Sequence, residues 1–379
     1  MRPRPARAVI LGLGVLLGAC APKRVACPVP SPAATPGADT VQVTFLGVGG
    51  FVVRWSGAAI MTAPLYSNPS VGEIALSEIH ADRARIDALL PDVGDVRAIL
   101  SGHAHYDHLM DVPYVARHKA TRADLIGNDA MRKLLAPIAG ELASRTPPNR
   151  LVSLQGSDPC APAGHEVSGT RFRIRAIASE HSPQIGPGLL KGLLDIPPVS
   201  LWRGEPEDAL EVLPNRVGEW PSGSVLAFVI DLLERDSDKV AFRIYYQDSP
   251  TRRPLGYPPD CLGTRPIDLA ILCLGGATEF EAFPADIVEY LQPRYVLGSH
   301  WEDFFSPRDP PLPDARRTAE ELRLIPGVKP GRFLRAVSRA QPVGGQASVP
   351  CPDTVTTFVK STSGWALAPG SGAWTMPKR

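Results

Sequence analysis

Residues Leu100–Asp111 read LSGHAHYDHLMD and hold three of the chain's eight histidines together with two aspartates. They close VRAIL (Val96–Leu100), an apolar run that reads as a buried strand. Alternate side chains of an extended segment share a face, so His103 and His105 point the same way, while Asp107 and His108 turn toward a neighbouring point. Imidazole nitrogen and carboxylate oxygen are the usual ligands of a borderline divalent cation such as zinc. The spacing predicts a metal centre at a strand end, with a second cation beside the first. A single structural metal is the plainer alternative, but structural zinc is usually closed by four ligands and favours cysteine. The chain has no Cys-x-x-Cys pair.

Working outward, VQVTFLG, FVVRW and AAIM are short apolar or alternating runs between glycine turns, a meander of strands. Helical patterns cover Arg83 to Leu90, Leu109 to His118 and Asp129 to Leu135, with the strand ADLIG between the last two. In the second half TRFRIRAIAS, VLAFVIDLL, VAFRIYYQDS, IDLAILCLG and RYVLGSH read as strands, and Thr278 to Leu291 and Asp314 to Leu324 as helices. Two strand-rich halves with helices outside predict an α+β fold of two face-to-face sheets, a four-layer αββα sandwich. No internal repeat marks a duplication. Three more candidate ligands stand at predicted strand ends: His181 in AIASEHSP, Asp248 in YYQDSP and His300 in VLGSHWEDFF. Their plainer readings are two core histidines and an aspartate capping the turn before Pro250. Asp111, His80, His118 and His165 read as solvated or helix-surface groups.

HxHxDH followed in order by His, Asp and His resembles the metallo-β-lactamase superfamily, from about Val41 to His300 and beyond. HYDHL, LGSHWEDF and the opening FLGVGGF…IMTAPLYSNP resemble the branch that holds ascorbate-phosphate lactonase and N-acyl-phosphatidylethanolamine phospholipase D. That resemblance implies His103, His105 and His181 on one metal and Asp107, His108 and His300 on the other, with Asp248 bridging. Asp107 and Asp248 would be the carboxylates with catalytic roles. It implies two divalent ions, zinc first, with manganese or iron also suited to such ligands. Two cations about 3.5–4 Å apart clamp a phosphoryl or carbonyl oxygen and bring the pKa of bound water toward about 7. The implied activity is hydrolysis of a phosphodiester or phospholipid-like substrate by a hydroxide held between two metals. A lactonase, or a non-catalytic metal-binding surface lipoprotein, are the alternatives. The chain departs from the branch at Ala63-Pro64, where Asp-Pro is common, and the Glu302-Asp303 pair after Trp301 adds charge of no evident use.

The N-terminal MRPRPARAVILGLGVLLGAC has a basic start, a short apolar stretch and small residues, the layout of a secretory signal. Leu17-Gly18-Ala19-Cys20 resembles the lipobox of bacterial lipoproteins. Residues 1–19 then form a lipoprotein signal peptide, 20–39 a Pro/Ala-rich tether and 40–379 the hydrolase domain. Cys20 would carry a lipid anchor holding the protein in the bacterial cell envelope, on the periplasmic face of the outer membrane. Lysine and arginine number 40 against 39 aspartates and glutamates, and no basic run is interleaved with aromatics, which argues against a nucleic-acid partner. A small-molecule or lipid substrate is expected instead. Cys273 lies in an apolar run and reads as a buried free thiol; Cys160, Cys261 and Cys351 lie in Pro-flanked loops where disulfides form in an oxidising compartment, in a pairing that spacing does not decide. The stretch from 183 to 222 lacks regular pattern and reads as a pocket wall. Its LLKGLL, Trp202 and Trp220 suit an acyl chain or membrane face, or a short helix packed on the body. Arg252 and Arg253 either clamp an anionic substrate or sit on the surface.

Overall fold

The structure, a computed structural model, describes residues 24–28, 37, 39–182, 204–262, 265–308, 319–362 and 364–369. The signal peptide, Cys20, LLKGLL and Trp202 lie outside the described residues.

After an outlying strand β1 (Arg24–Pro28), the chain forms the meander β2 (Thr40–Gly47), β3 (Gly50–Trp55) and β4 (Ala58–Thr62). The helices α1 (Val71–Leu76) and α2 (Arg83–Leu89) follow, then β5 (Val96–Leu100). The ligand motif opens α3 (Tyr106–Leu109), and α4 (Val112–His118) and β6 (Asp124–Gly127) follow. α5 (Asp129–Leu134), capped by the Asn128 side chain accepting from the Met131 amide, leads through α6 (Ala136–Ala143) to β7 (Leu151–Ser153). The C-terminal strands β16 (Val355–Ser361) and β17 (Gly364–Leu367) complete the sheet, whose order is β17-β16-β2-β3-β4-β5-β6-β7.

The second sheet takes β8 (His165–Glu166), β9 (Phe172–Ser179), β10 (Val225–Leu233), β11 (Val240–Tyr246) and β12 (Leu269–Cys273). Then come α7 (Ala285–Leu291), β13 (Tyr295–Ser299), β14 (Ala319–Arg323), α8 (Pro330–Ala340), β15 (Gln346–Ser348), β16 (Val355–Ser361) and β17 (Gly364–Leu367). Its order is β15-β13-β12-β11-β10-β9-β8. Period-two burial decides which residue faces which layer. On β3, Phe51 and Val53 join the core between the sheets, whereas Val52 joins the core under α1–α6. Between the sheets Phe51 meets Tyr246 and Phe242 meets Phe358, while the Trp365 indole donates to the Ala241 carbonyl. α7 and α8 cover the other sheet through Ile287, Val288, Phe333 and Val337. The layers are αββα, the fold class the motif implies.

Three expectations need correction. The helix expected over Asp314–Leu324 is, in its described part, the strand β14, because a remote partner is available: β14 pairs antiparallel with β1 from Arg24↔Arg323 to Pro28↔Ala319. The segment read as a tether contains β1, whose alternating Val25 and Cys27 are buried, and Cys27 is disulfide-bonded to Cys351. The helix expected over Thr278–Leu291 is broken: a 3₁₀ turn at Ala277–Glu279 precedes α7, with Pro284 at the helix N-cap. The second disulfide joins Cys160 to Cys261, and Cys273 is a buried free thiol, as the apolar run around it predicts.

Candidate metal centre

β5, β9, β11 and β13 all end at one edge of the sandwich, and the four segments that leave them carry the seven candidate ligands. Ligand atoms of His103, His105 and His181 lie within 4.8 Å of one another, and so do those of His103, Asp107 and His108. His300 joins the second group: its Nε2 is 3.3 Å from Asp107 Oδ2, and His108 Nε2 is 3.5 Å from the same oxygen. Asp248 lies between the groups, Oδ1 at 3.0 Å from His103 Nδ1 and Oδ2 at 3.5 Å from His108 Nδ1. The structure therefore brings all seven together. His103 faces both groups, whereas the resemblance assigned it to one.

Hydrogen bonds orient the rings. A carbonyl can only accept, so the contact of 2.7 Å between His181 Nδ1 and the Ser182 carbonyl puts the proton on Nδ1 and leaves Nε2 as a lone pair. The same logic holds for His103, whose Nδ1 faces Asp248 while its buried Nε2 has no hydrogen-bond partner. The Gly102 amide donates to Asp248 Oδ2 at 2.9 Å. Glycine is required there, because a Cβ would run into the Asp248 carboxylate and lie 2.6 Å from the Leu226 carbonyl oxygen. Gly49 is similarly placed, a Cβ falling 2.9 Å from His108 Nδ1. Hydroxyls of Thr62 and Tyr246 donate to the Gly49 carbonyl and hold it against that ring.

Burial is the main force on these groups. It takes His108 down to about 3 and His181 down to about 4, and drives His105 well below the usual imidazole range. Burial pulls on His103 too, but the Asp248 carboxylate outweighs it and raises that ring. Burial pushes Asp248 up, yet His103, His108 and the Gly102 amide overcome it and bring the carboxyl to about 2. Asp107 is likewise held low by His108 and His300 against burial. Ionised carboxylates and unprotonated imidazoles are the forms that bind cations. A buried lone pair without a partner is costly on its own. The donor set therefore fits a pair of divalent cations, one toward His103, His105 and His181 and one toward Asp107, His108 and His300. Asp248 keeps lone pairs on both oxygens for either.

Two further residues support the site, and the sequence reading missed one and left the other unexplained. Asp111 is fully buried rather than solvated, accepting from the amides of Tyr66 and Ser67 at 2.7 and 3.0 Å and from the Ser67 hydroxyl at 2.5 Å. It ties the segment after β4 to the helix that follows the motif; burial pushes its carboxyl up to about 6 against those donors. Its only sequence signal is its place three residues past His108. Glu302 is buried and accepts from the amides of Val48 and Trp301. The His300 amide donates to the Val48 carbonyl at 2.9 Å, and both residues have positive φ. Glu302 thus clamps a strained junction that sets the direction of a candidate ligand.

The remaining candidates have other partners. Arg252 pairs with Glu180 at 3.4 Å and lies over Phe280, while Arg253 stacks between Tyr257 and Tyr290. Trp220 is buried under the helical layer and offers no exposed apolar surface. The Ser222 carbonyl accepts from the Ala104 amide, so the described end of the 183–222 stretch backs the motif. His80 and Glu78 pair on the surface, and His118 packs on Tyr114.

No family model matches the chain, and no curated protein matches it. Among solved structures it is similar to Igni18, a metallo hydrolase from Ignicoccus hospitalis, at 17% identity and a TM-score of 0.46, over 84% of this chain and 98% of that one. It is also similar to the metallo-beta-lactamase fold protein YhfI from Bacillus subtilis, at 12% identity and a TM-score of 0.45, over 84% of this chain and 100% of that one. A third is the isothiocyanate hydrolase from Delia radicum gut bacteria, at 11% identity and a TM-score of 0.45, over 83% and 98%.

Proposed function

We propose that this chain is a metal-dependent hydrolase of the metallo-β-lactamase type. The observation that carries the reading is the convergence of seven side chains from four distant segments on one buried edge. Two bound divalent cations, zinc first, supply Lewis acidity and water that ionises near neutral pH. The chain's own residues prepare the place. His181 and His103 keep their outer nitrogens protonated against Ser182 and Asp248, so the inner ones stay free as donors. The Gly102 amide and the rings of His103 and His108 keep Asp248 ionised. Buried Asp107 keeps its charge between two imidazoles, ready for a cation on the side of His108 and His300.

Within this reading the substrate is a phosphodiester or phospholipid-like molecule, which rests on HYDHL and LGSHWEDF, and the protein is anchored in the cell envelope through Cys20. Purified protein is tested with and without chelator on a bis-aryl phosphate, a lactone and a phospholipid, alongside mass-spectrometric metal content. Two metals per chain with chelator-sensitive turnover of the phosphodiester is the expected result. Fewer than one metal per chain overturns the metal reading. Two metals with turnover of the lactone alone replaces the substrate class.

A further inference from the structure

The ladder between β9 and β10 ends at the pair Val225↔Ser179, two residues short of His181. The chain that leaves β11 takes over from there. The Gly256 amide donates to the Ala178 carbonyl at 2.7 Å, and the Arg252 amide donates to the Glu180 carboxylate at 3.1 Å. Nearest the metal edge, the Ser182 amide donates to the Ser249 hydroxyl oxygen at 3.0 Å. Residues 249–256 therefore clasp the end of β9 and its continuation at every second residue from Ala178 to Ser182.

Ser249 is the member of the clasp that bears on a ligand. It and Ser182 are both buried. The Ser249 oxygen fixes the Ser182 backbone from its amide side, and the carbonyl of the same residue accepts from His181 Nδ1 at 2.7 Å. That contact leaves His181 Nε2 as the lone pair turned to the cluster. On its other side Ser182 rests against Gly276, whose φ is +76° and where a Cβ would come 2.8 Å from the Ser182 Cβ. Ser249 also directly follows Asp248, so two consecutive residues place the bridging candidate and steady His181. Partners that orient a ligating histidine set both its direction and its affinity for the cation.

We infer that Ser249 is a positioning residue of the metal centre: its hydroxyl holds Ser182 so that His181 presents Nε2 to the cation shared with His103 and His105. This deepens the metal reading above and rests on it only for the binding measurement. The test compares Ser249→Ala with Thr251→Val, which removes a buried hydroxyl from the same loop, one that donates to the Leu255 carbonyl instead. In the metal-free full chain labelled with ¹⁵N-histidine, the His181 Nδ1 proton gives a ring N–H resonance, identified by its loss in His181→Ala. Ser249→Ala is expected to lose that resonance to exchange with water, and Thr251→Val to keep it. Competition titration of zinc against a chromophoric chelator should then show one of two affinities weakened by about 10–100-fold in Ser249→Ala and the other as in the wild type. Gly276→Ala pushes Ser182 from the opposite side and is expected to give the same selective loss, so the inference is tested even where Ser249→Ala does not fold. A His181 proton as protected in Ser249→Ala as in the wild type, or equally lost in Thr251→Val, overturns the role of Ser249 whatever metals bind. A wild type that binds no zinc, with the resonance still lost in Ser249→Ala, overturns the metal reading and leaves the Ser249 contact standing.

Discussion

Gly102→Ala tests the site without removing a ligand. The added Cβ would lie 2.6 Å from the Leu226 carbonyl oxygen and 2.7 Å from Asp248 Cγ, distances that real Cβ atoms do not show. The Leu226 amide also donates to the Gly102 carbonyl at 2.8 Å, so the backbone on that side cannot yield, and the carboxylate must. Displacing it by half an ångström or more stretches its 2.9 Å bond from the Gly102 amide and its 3.0 Å contact with His103. Overpacking a buried site costs about 1–3 kcal/mol in stability. Loss of a partner that orients metal ligands lowers metal affinity by about 10–100-fold. Competition titration with a chromophoric chelator measures the second effect and thermal unfolding of the metal-free protein the first. Wild-type affinity with an unchanged unfolding midpoint would refute the placement of Asp248 between the two groups.

Asp248→Asn and His181→Ala should each leave a folded protein with less bound metal, read by mass-spectrometric metal content beside circular dichroism; full occupancy in either removes that side chain from the ligand set. The metal-free protein should lose stability on acidification from the ordinary imidazole pKa of 6.5 toward about 4. Over that window the unfolded chain takes up protons that buried His105, His108 and His181 refuse, and each net proton contributes about 1.4 kcal/mol per pH unit, partly offset by His103. Denaturant titrations at several pH values, flat across this range, would contradict the buried neutral cluster. Asp111→Ala removes acceptors for two amides and a hydroxyl and should cost about 2–4 kcal/mol, visible as a lower denaturation midpoint. In a Cys20→Ser variant, thiol titration should find one reactive cysteine, Cys273, and only after unfolding; a thiol titrating in the native variant would break one of the two pairings.

What was legible in the sequence was local. VRAIL is apolar throughout and ends at a motif whose residue types and spacing belong to metals, so both the strand and its cluster could be read. His181, Asp248 and His300 could be found because each closes a recognisable strand. Non-local choices were hidden. Ala319–Arg323 has the composition of a helix and becomes a strand only because Arg24–Pro28 lies alongside it, and β1 itself is two inward residues among prolines and alanines. Disulfide pairing could not be chosen from spacing, since it follows the same remote contact. Asp111 looked solvated because it is charged, yet three donors from the segment after β4 satisfy it in the interior. Glu302 makes sense only beside Val48, 254 positions earlier.

The two disulfides are nested, with Cys160–Cys261 inside the span closed by Cys27–Cys351. Of the four paired cysteines, a chain delivered from its N-terminus presents Cys27 first and Cys160 next, so oxidation in order of arrival would join the wrong pair. Correct closure has to wait until nearly the whole sequence has arrived, or else repair the early bond by exchange. Maturation of this protein should therefore depend on a thiol–disulfide isomerase as well as on an oxidant.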